Sequence, residues 1–377
     1  MAAGSSYDCS VLKAYLPAVG KRRRELVTPA LILDAAAARR NIRLMADRLT
    51  GRAKLRPHAK LHKSPQIAKW QLEAGAIGIT TATVWEAAAL AREGIGDILI
   101  ANQVVGQAKV RKAAEVARQV SLMVSVDDCA NADALGSAAR AAGSEIGVLI
   151  DVDTGMNRCG VRSPEDAVKL AAHVSNLTGL RLRGVTGYEG HCVLEPDRAL
   201  RTQKATRAMD YLVTIVDLLA ASGHPIDIVS AGGTGTYDIT GMNPRVTEIQ
   251  AGSYVFMDAG RLPIVPDFVP ALTVLCTVVS RQGATAVLDG GRKTIGAELA
   301  LPRVVAAEAT TRAVNEEHLL LDLSADSPLR VGDTVEVIPG YAPTTVNLHQ
   351  VYHVVEDDIV QEVWPVLARS ASIGGMA

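Results

Sequence analysis

The chain has 377 residues, 48 % hydrophobic and 21 % charged, enough apolar material to bury two domains or one barrel-sized domain with an appendage, and too much for a disordered chain. A formal net charge of −1 argues against a nucleic-acid partner, and the basic run Lys21-Arg22-Arg23-Arg24 reads as a solvated patch. No run of about 18 apolar residues is present, so no membrane partner is expected.

The opening residues MAAGSSYDCS lack a charged region followed by an apolar run, so no signal peptide is expected. Five cysteines, Cys9, Cys129, Cys159, Cys192 and Cys276, are scattered without a CxxC pair, which fits reduced thiols and a cytoplasmic protein. Short runs at 54–60, 77–83, 96–101, 121–126, 145–153, 181–188, 226–231 and 247–251 predict strands. Helical patterns alternate with them, after a first helix at about 35–49. Ser64-Pro65 and Ser163-Pro164-Glu165-Asp166 carry an N-cap followed by proline, and Gly75, Gly94 and Gly223 stand where helices should stop. The alternation predicts a (β/α)8 barrel, with a doubly wound open sheet as the competing reading. From about residue 265 the runs VPALTVLCTVVSRQ, TAVLDGG, EHLLLDLS, DTVEVIPG and 351–366 predict a separate β-rich domain. The expected boundaries are 28–262 for the barrel, with 1–27 plus 263–377 as the β-rich domain.

The chemistry gathers at the predicted C-terminal strand ends, the face on which barrels build active sites. RPHAKLHK (56–63) runs off strand one, and strand alternation predicts His58, Lys60 and His62 on one face. A lysine beside other positive groups and partly buried loses basicity and becomes a nucleophile able to form a Schiff base; a solvated strand end is the bland alternative. VSAGGTGTYD (229–238) and AGSYV (251–255) follow strands seven and eight, where barrels commonly bind phosphate. A phosphorylated cofactor that reacts with lysine points to pyridoxal 5′-phosphate (PLP). DVDTGMNRCG (151–160) and GYEGHC (187–192) follow strands five and six. His191 there is a candidate general acid/base or a turn residue, and Arg158 a candidate partner for a ring oxygen or a carboxylate, or a surface ion pair. The segment Val193–Arg201 and the region of Trp85 are candidates for the substrate side-chain pocket.

These motifs, in this order, resemble the D-threonine aldolase and D-serine dehydratase group of the alanine-racemase-like (fold type III) PLP enzymes. RPHAKLHK resembles the group's PLP-lysine signature, DTGMNRCG a segment shared with alanine racemases, and GYEGH the aldolase segment whose histidine takes the substrate hydroxyl proton. SAGGTGTYD and AGSYVFMD resemble its phosphate loops; TVNLH (345–349) and EVWPVLARS (362–370) resemble its C-terminal domain. The resemblance implies an α/β fold, a PLP-binding TIM barrel of alanine-racemase type plus a C-terminal β-rich domain, assembled as a homodimer. It implies Lys60 and His191 as catalytic residues; Tyr341 joins them by resemblance to the second base of alanine racemases, with a packing residue as the alternative. It places Lys60, His58, Arg158, Tyr188, Gly232, Gly233, Thr234, Gly252, Ser253 and Tyr254 around the cofactor, with the partner of the pyridine nitrogen open between Tyr188 and Arg158.

One departure stands out. The group carries His-x-Asp or His-x-Cys before the TVN segment as a divalent-metal pair, and PGYAPTTVN puts Tyr341 and Pro343 there. Neither is a useful ligand in the neutral state, so a divalent metal is doubtful and no metal residue is assigned; His349 and His353 are the nearby substitutes. The implied function is retro-aldol cleavage of a β-hydroxy-D-amino acid to an aldehyde plus glycine or a similar small amino acid. The alternatives are a racemase or epimerase using Lys60 and Tyr341 as its two bases, a D-serine-type dehydratase, and a PLP-binding protein without turnover.

Overall fold

The computed structural model describes residues 9–305 and 308–369. Contacts divide the described residues into two compact units, one formed by residues 45–60 and 65–252, the other by residues 9–44, 61–64, 253–305 and 308–369. Strand β1 (Ala30–Asp34) belongs to the latter; the next eight strands in the chain build the former.

Those eight are β2 (Lys54–Leu55), β3 (Ile79–Thr81), β4 (Asp97–Gln103), β5 (Ser121–Val126), β6 (Ile146–Asp151), β7 (Leu180–Gly187), β8 (Ile228–Ala231) and β9 (Glu248–Ile249). They pair in parallel in the order β2-β9-β8-β7-β6-β5-β4-β3. A parallel bridge between His58 and Thr80 joins the chain after β2 to β3 and closes the circle. Helices occupy the connections, and Ser163 caps the helix Pro164–Ser175 by accepting the Asp166 N–H, the role its motif predicts. The α/β barrel reading therefore holds, and the open sheet does not.

The barrel is filled in layers. Leu99, Met123, Leu149 and Ile228, from β4, β5, β6 and β8, meet in one buried cluster, which only inward-pointing side chains of a closed barrel can do. Burying each contributes about 1.5–3 kcal/mol. Polar layers flank this cluster. The Arg56 guanidinium lies between Glu248, whose two carboxylate oxygens accept from Nε at 3.0 Å each, and Asp97. Toward the strand C-termini, Gln250 Nε2 donates to Thr186 Oγ1 at 3.1 Å and Ser230 Oγ at 2.8 Å.

The other unit is a β-rich body. Strand β1 pairs antiparallel with β10 (Leu272–Gln282) and parallel with β16 (Val351–Glu356). Around them lie β11 (Thr285–Leu288), β12 (Arg303–Val304), β13 (Ala309–Val314), β14 (Leu319–Leu323), β15 (Thr334–Ile338) and β17 (Ile359–Pro365). Leu26, Ala30, Ile32, Leu275, Val351, Val355, Val360 and Val363 form its core cluster. This shifts the expected boundary. Residues 30–34 predict as barrel neighbours by their place in the sequence, yet they complete a sheet whose other strands lie beyond residue 271. No helix among the described residues is long and apolar enough to cross a membrane. Cys129, Cys159, Cys192 and Cys276 are free thiols.

Candidate active site

Lys60 stands just past the C-terminal end of the first barrel strand, as the motif predicts, but the strand is shorter than expected. Extended pairing covers Lys54–Leu55, the bridge follows at His58, and residues 59–62 turn. The cause is local. His58 Nδ1 accepts the Lys60 N–H at 3.4 Å and His62 Nδ1 accepts the Ser64 N–H at 3.1 Å, so each imidazole folds onto the backbone two residues on and competes with a sheet ladder. The expected common face is lost: His58 and His62 are buried and Lys60 is exposed.

The glycine loop after β8 is clamped from β7. Glu189, fully buried, accepts the Gly232 N–H at 3.1 Å and the hydroxyls of Thr236 at 2.6 Å and Thr240 at 2.5 Å. Gly232 has φ +81°, a conformation that a side chain would strain. Thr236 Oγ1 also accepts the Gly233 N–H at 3.2 Å. The loop packs tightly: a Cβ at Gly233 would meet the Tyr188 ring at 3.1 Å, and one at Gly235 would run into the Val193 carbonyl. A Cβ at Gly252 would lie 2.8 Å from the His58 carbonyl, so the glycine after β9 lets two backbones meet beside the lysine turn. The segment 193–201 is tied to the same loop through Val193 and through the Arg198–Asp238 ion pair at 2.7 Å. Thr234 is buried in this loop and Tyr188 is half-buried against it.

The loop after β6 brings Arg158 and His191 into the same barrel mouth. Val152 bridges to Val161, Asp153 Oδ1 accepts the N–H groups of Gly155 and Asn157 at 3.0 Å each, and Asp127 Oδ2 accepts the Gly160 N–H at 2.8 Å. Arg158 and Cys159 are exposed between these clamps. The His191 imidazole packs on Gly155, where an added Cβ would meet Cε1 at 3.0 Å. Beneath the loop, burial pushes the Asp151 carboxyl up to about 6; Gln103, donating to Oδ2 at 2.7 Å, opposes this, Asp127 and Asp153 add to it, and Arg158 opposes it. Glu189, Asp151, Gln103 and Gln250 are polar groups that sequence reasoning missed. Glu189 lies inside GYEGHC and was legible as the motif's one acid; the others show no local pattern.

The remaining predicted residues belong to the β-rich unit. Ser253 starts the 3-10 turn Ser253–Val255, and the buried Tyr254 ring lies 5.8 Å from that of Phe268. Tyr341 precedes the helix Ala342–Leu348, its N–H donates to the Gly296 carbonyl at 3.0 Å, and the Arg261 guanidinium sits 5.2 Å from its ring centroid. Arg261 pairs with buried Asp258 at 2.5 Å, and Asp258 also accepts the Ala342 N–H at 3.1 Å. Burial raises the Asp258 carboxyl, with Arg261 acting against it.

This neighbourhood does not fit a divalent metal. The histidines proposed as substitutes do not share a strand: His349 ends the helix and His353 lies in β16. A ring nitrogen of each meets a main-chain carbonyl, His349 Nε2 that of Thr294 at 2.8 Å and His353 Nδ1 that of Leu31 at 3.2 Å. No group of three or more His, Cys, Asp or Glu among the described residues is arranged to hold a metal ion.

The barrel mouth does fit PLP. It offers a primary amine at Lys60, and two glycine loops too close-packed for side chains, at the strand ends where barrels receive phosphate. Arg158 adds a guanidinium for an anionic oxygen.

Comparison with known proteins agrees with this geometry. Residues 33–260 match the model of the alanine racemase N-terminal domain, and residues 271–355 match that of a serine dehydratase domain. D-threonine aldolase of an Arthrobacter species is 36 % identical over 92 % of this chain and 93 % of its own. The 3-hydroxy-D-aspartate aldolase of Paracoccus denitrificans is 34 % identical over 94 % of this chain and 95 % of its own. The crystal structure of D-threonine aldolase from Filomicrobium marinum superposes with a TM-score of 0.90 at 35 % identity, covering 93 % of this chain and 98 % of that one.

Proposed function

Because the chain belongs to the family of the alanine racemase N-terminal domain, and matches relatives that are aldolases over nearly its whole length, we propose that it is a PLP-dependent carbon–carbon lyase. Its substrate is a β-hydroxy-D-amino acid, cleaved to an aldehyde and glycine or a similar small amino acid. The observation that carries this reading is the barrel mouth itself: Lys60, the clamped 232–236 loop, and His191 packed on the loop of Arg158 belong to one compact unit. Lys60 is the cofactor lysine, and the cofactor residues are His58, Arg158, Tyr188, Gly232, Gly233, Thr234, Gly252, Ser253 and Tyr254.

Bound PLP supplies the electron sink for the carbanion left at Cα. The protein does the rest. Lys60 would hold the group covalently, since its primary amine is the nucleophile that a cofactor carbonyl requires. The hydrogen bonds of Glu189 and Thr236 fix the shape of the 232–236 loop, which would receive the phosphate without reorganising. Arg158 neutralises an anionic oxygen at the mouth. His191 takes the β-hydroxyl proton as the Cα–Cβ bond breaks and the aldehyde carbonyl forms, and Cα is then protonated to give the amino acid. No step is routed through a metal. Family resemblance supports a homodimer, and the free thiols agree with a reducing, cytoplasmic setting.

The test is an absorbance spectrum of chelator-treated protein, followed by D-threonine and D-phenylserine with aldehyde detection. A band at about 420 nm, absent in Lys60→Ala, and aldehyde release without added metal are expected. No band after adding PLP would overturn the reading. A band with Cα proton exchange but no aldehyde, even with manganese, would favour the racemase alternative with Lys60 and Tyr341 as bases.

A further inference from the structure

We propose that Thr80 is the positioning residue for Lys60: through its hydroxyl, its N–H and its carbonyl it splints the approach to the lysine where the barrel ladder is interrupted. The inference rests on the reading of Lys60 as the cofactor lysine and goes beyond it by assigning what holds that lysine's backbone in place.

The interruption begins with the sequence. Pro57 has no N–H, so the segment between β2 and Lys60 cannot continue a full ladder to the neighbouring strand β3. Regular pairing of β2 ends at Leu55, and Lys60 stands exposed in the turn that follows His58. An amine that must meet a cofactor carbonyl at one point needs a backbone that stays put, because a misplacement of about 1 Å can cost about 10²-fold in rate.

Thr80, in β3 and fully buried, restores the hold. Its N–H donates to the Pro57 carbonyl at 2.8 Å, its carbonyl accepts the Ala59 N–H at 2.7 Å, and its hydroxyl donates to the Arg56 carbonyl at 2.9 Å. The bond to Ala59 falls on the residue immediately before the lysine. Any residue at this register could make the two main-chain bonds, but the bond to Arg56 requires a hydroxyl. That bond matters because Arg56 is itself anchored: its buried guanidinium lies between Glu248 and Asp97. Thr80 therefore ties the approach to the lysine to a residue fixed inside the barrel. The chain beside β9 restrains the other edge, with the Arg56 N–H donating to the Ile249 carbonyl at 2.9 Å and the His58 N–H to the Ala251 carbonyl at 3.2 Å. Past Ala59 the hold weakens, and the Lys60 N–H reaches His58 Nδ1 only at 3.4 Å. Removing the Thr80 hydroxyl takes from the buried Arg56 its carbonyl's side-chain donor and loosens the segment just before the lysine.

The experiment compares wild type with Thr80→Val, which keeps the shape and removes the hydroxyl, and Thr80→Ser, which keeps the hydroxyl. Ser163→Ala, which uncaps the helix Pro164–Ser175, is the stability control. The apoprotein is read by hydrogen exchange of a peptide covering residues 56–60. The PLP-loaded protein is read by titration of the cofactor band, and by borohydride reduction with mass mapping of the labelled lysine. Thr80→Val should exchange faster over 56–60, bind PLP about tenfold more weakly and be labelled more slowly at Lys60. Thr80→Ser should stay within about twofold of wild type on each readout, and Ser163→Ala should keep the wild-type Kd despite a lower melting temperature. If Thr80→Val does not fold, Thr80→Ala, smaller and also without a hydroxyl, gives the same reading. Wild-type Kd and labelling in Thr80→Val, a Thr80→Ser variant as impaired as Thr80→Val, or an equal loss of PLP affinity in Ser163→Ala overturns the proposal. No cofactor band and no labelling of Lys60 in wild type would instead sink the functional reading beneath it, while exchange of the apoprotein still reads the splint.

Discussion

Glu189 offers the sharpest check on how this barrel holds an anion. Its buried carboxylate makes three charge-assisted hydrogen bonds, to the Gly232 N–H and to the hydroxyls of Thr236 and Thr240. Glu189→Gln keeps the shape and removes the charge. Bonds to a charged acceptor contribute about 1.5–3 kcal/mol and neutral ones about 0.5–1.5 kcal/mol, so three conversions cost about 3 kcal/mol. Removing a buried charge returns part of that in desolvation, leaving about 2 kcal/mol. The loss falls on the loop shape that would receive the phosphate, so the Kd for PLP should rise by roughly 30-fold. Titration of the apoprotein with PLP, followed by the absorbance band, reads this directly. Glu189→Gln with wild-type Kd and wild-type thermal stability would refute the argument that the carboxylate preorganises the loop.

Other expectations follow from single groups. His191→Gln should retain the cofactor band and lower kcat for aldehyde release about 10²–10⁴-fold, and a variant within twofold of wild type would remove His191 from proton transfer. Glu248→Ala leaves the buried Arg56 guanidinium with Asp97 alone and its Nε without an acceptor, and should cost about 1–3 kcal/mol in urea unfolding; an unchanged midpoint would show that Asp97 suffices. His349 tests acid stability. Burial lowers its pKa from 6.5 to about 4, so the fold favours the neutral imidazole; that stability is complete above 6.5 and is lost as pH falls toward 4, up to about 3 kcal/mol. Unfolding at pH of about 7.5 and 4.5 should show a smaller drop for His349→Gln than for wild type, and equal drops would mean that this histidine is not responsible.

How much of this was legible in the sequence depended on the range of the physics. Apolar period and cap residues act within a few positions, so Ser163, Pro164 and the strand runs read correctly. The motif order placed Lys60, Arg158, His191 and the glycine loops at consecutive strand ends, where the barrel has them. Even so, the local rule failed at 58–62, because strand alternation assumes a ladder and the two histidines bond to the backbone instead.

By itself the sequence determined the alternation of strands and helices, the later β-rich texture, and the residue types at the mouth, because each is written in neighbouring side chains. Only the tertiary structure decided the rest. The pairing of β1 with β10 and β16 joins segments more than two hundred residues apart, which no local pattern specifies. Closure of the barrel at His58 and Thr80 and the clamp of Glu189 on the 232–240 segment likewise depend on which backbones meet. The raised carboxyl of Asp151 exists only because folding withdraws it from water and sets it beside Gln103, Asp127 and Arg158, since proton affinity is a property of surroundings and not of the residue type alone.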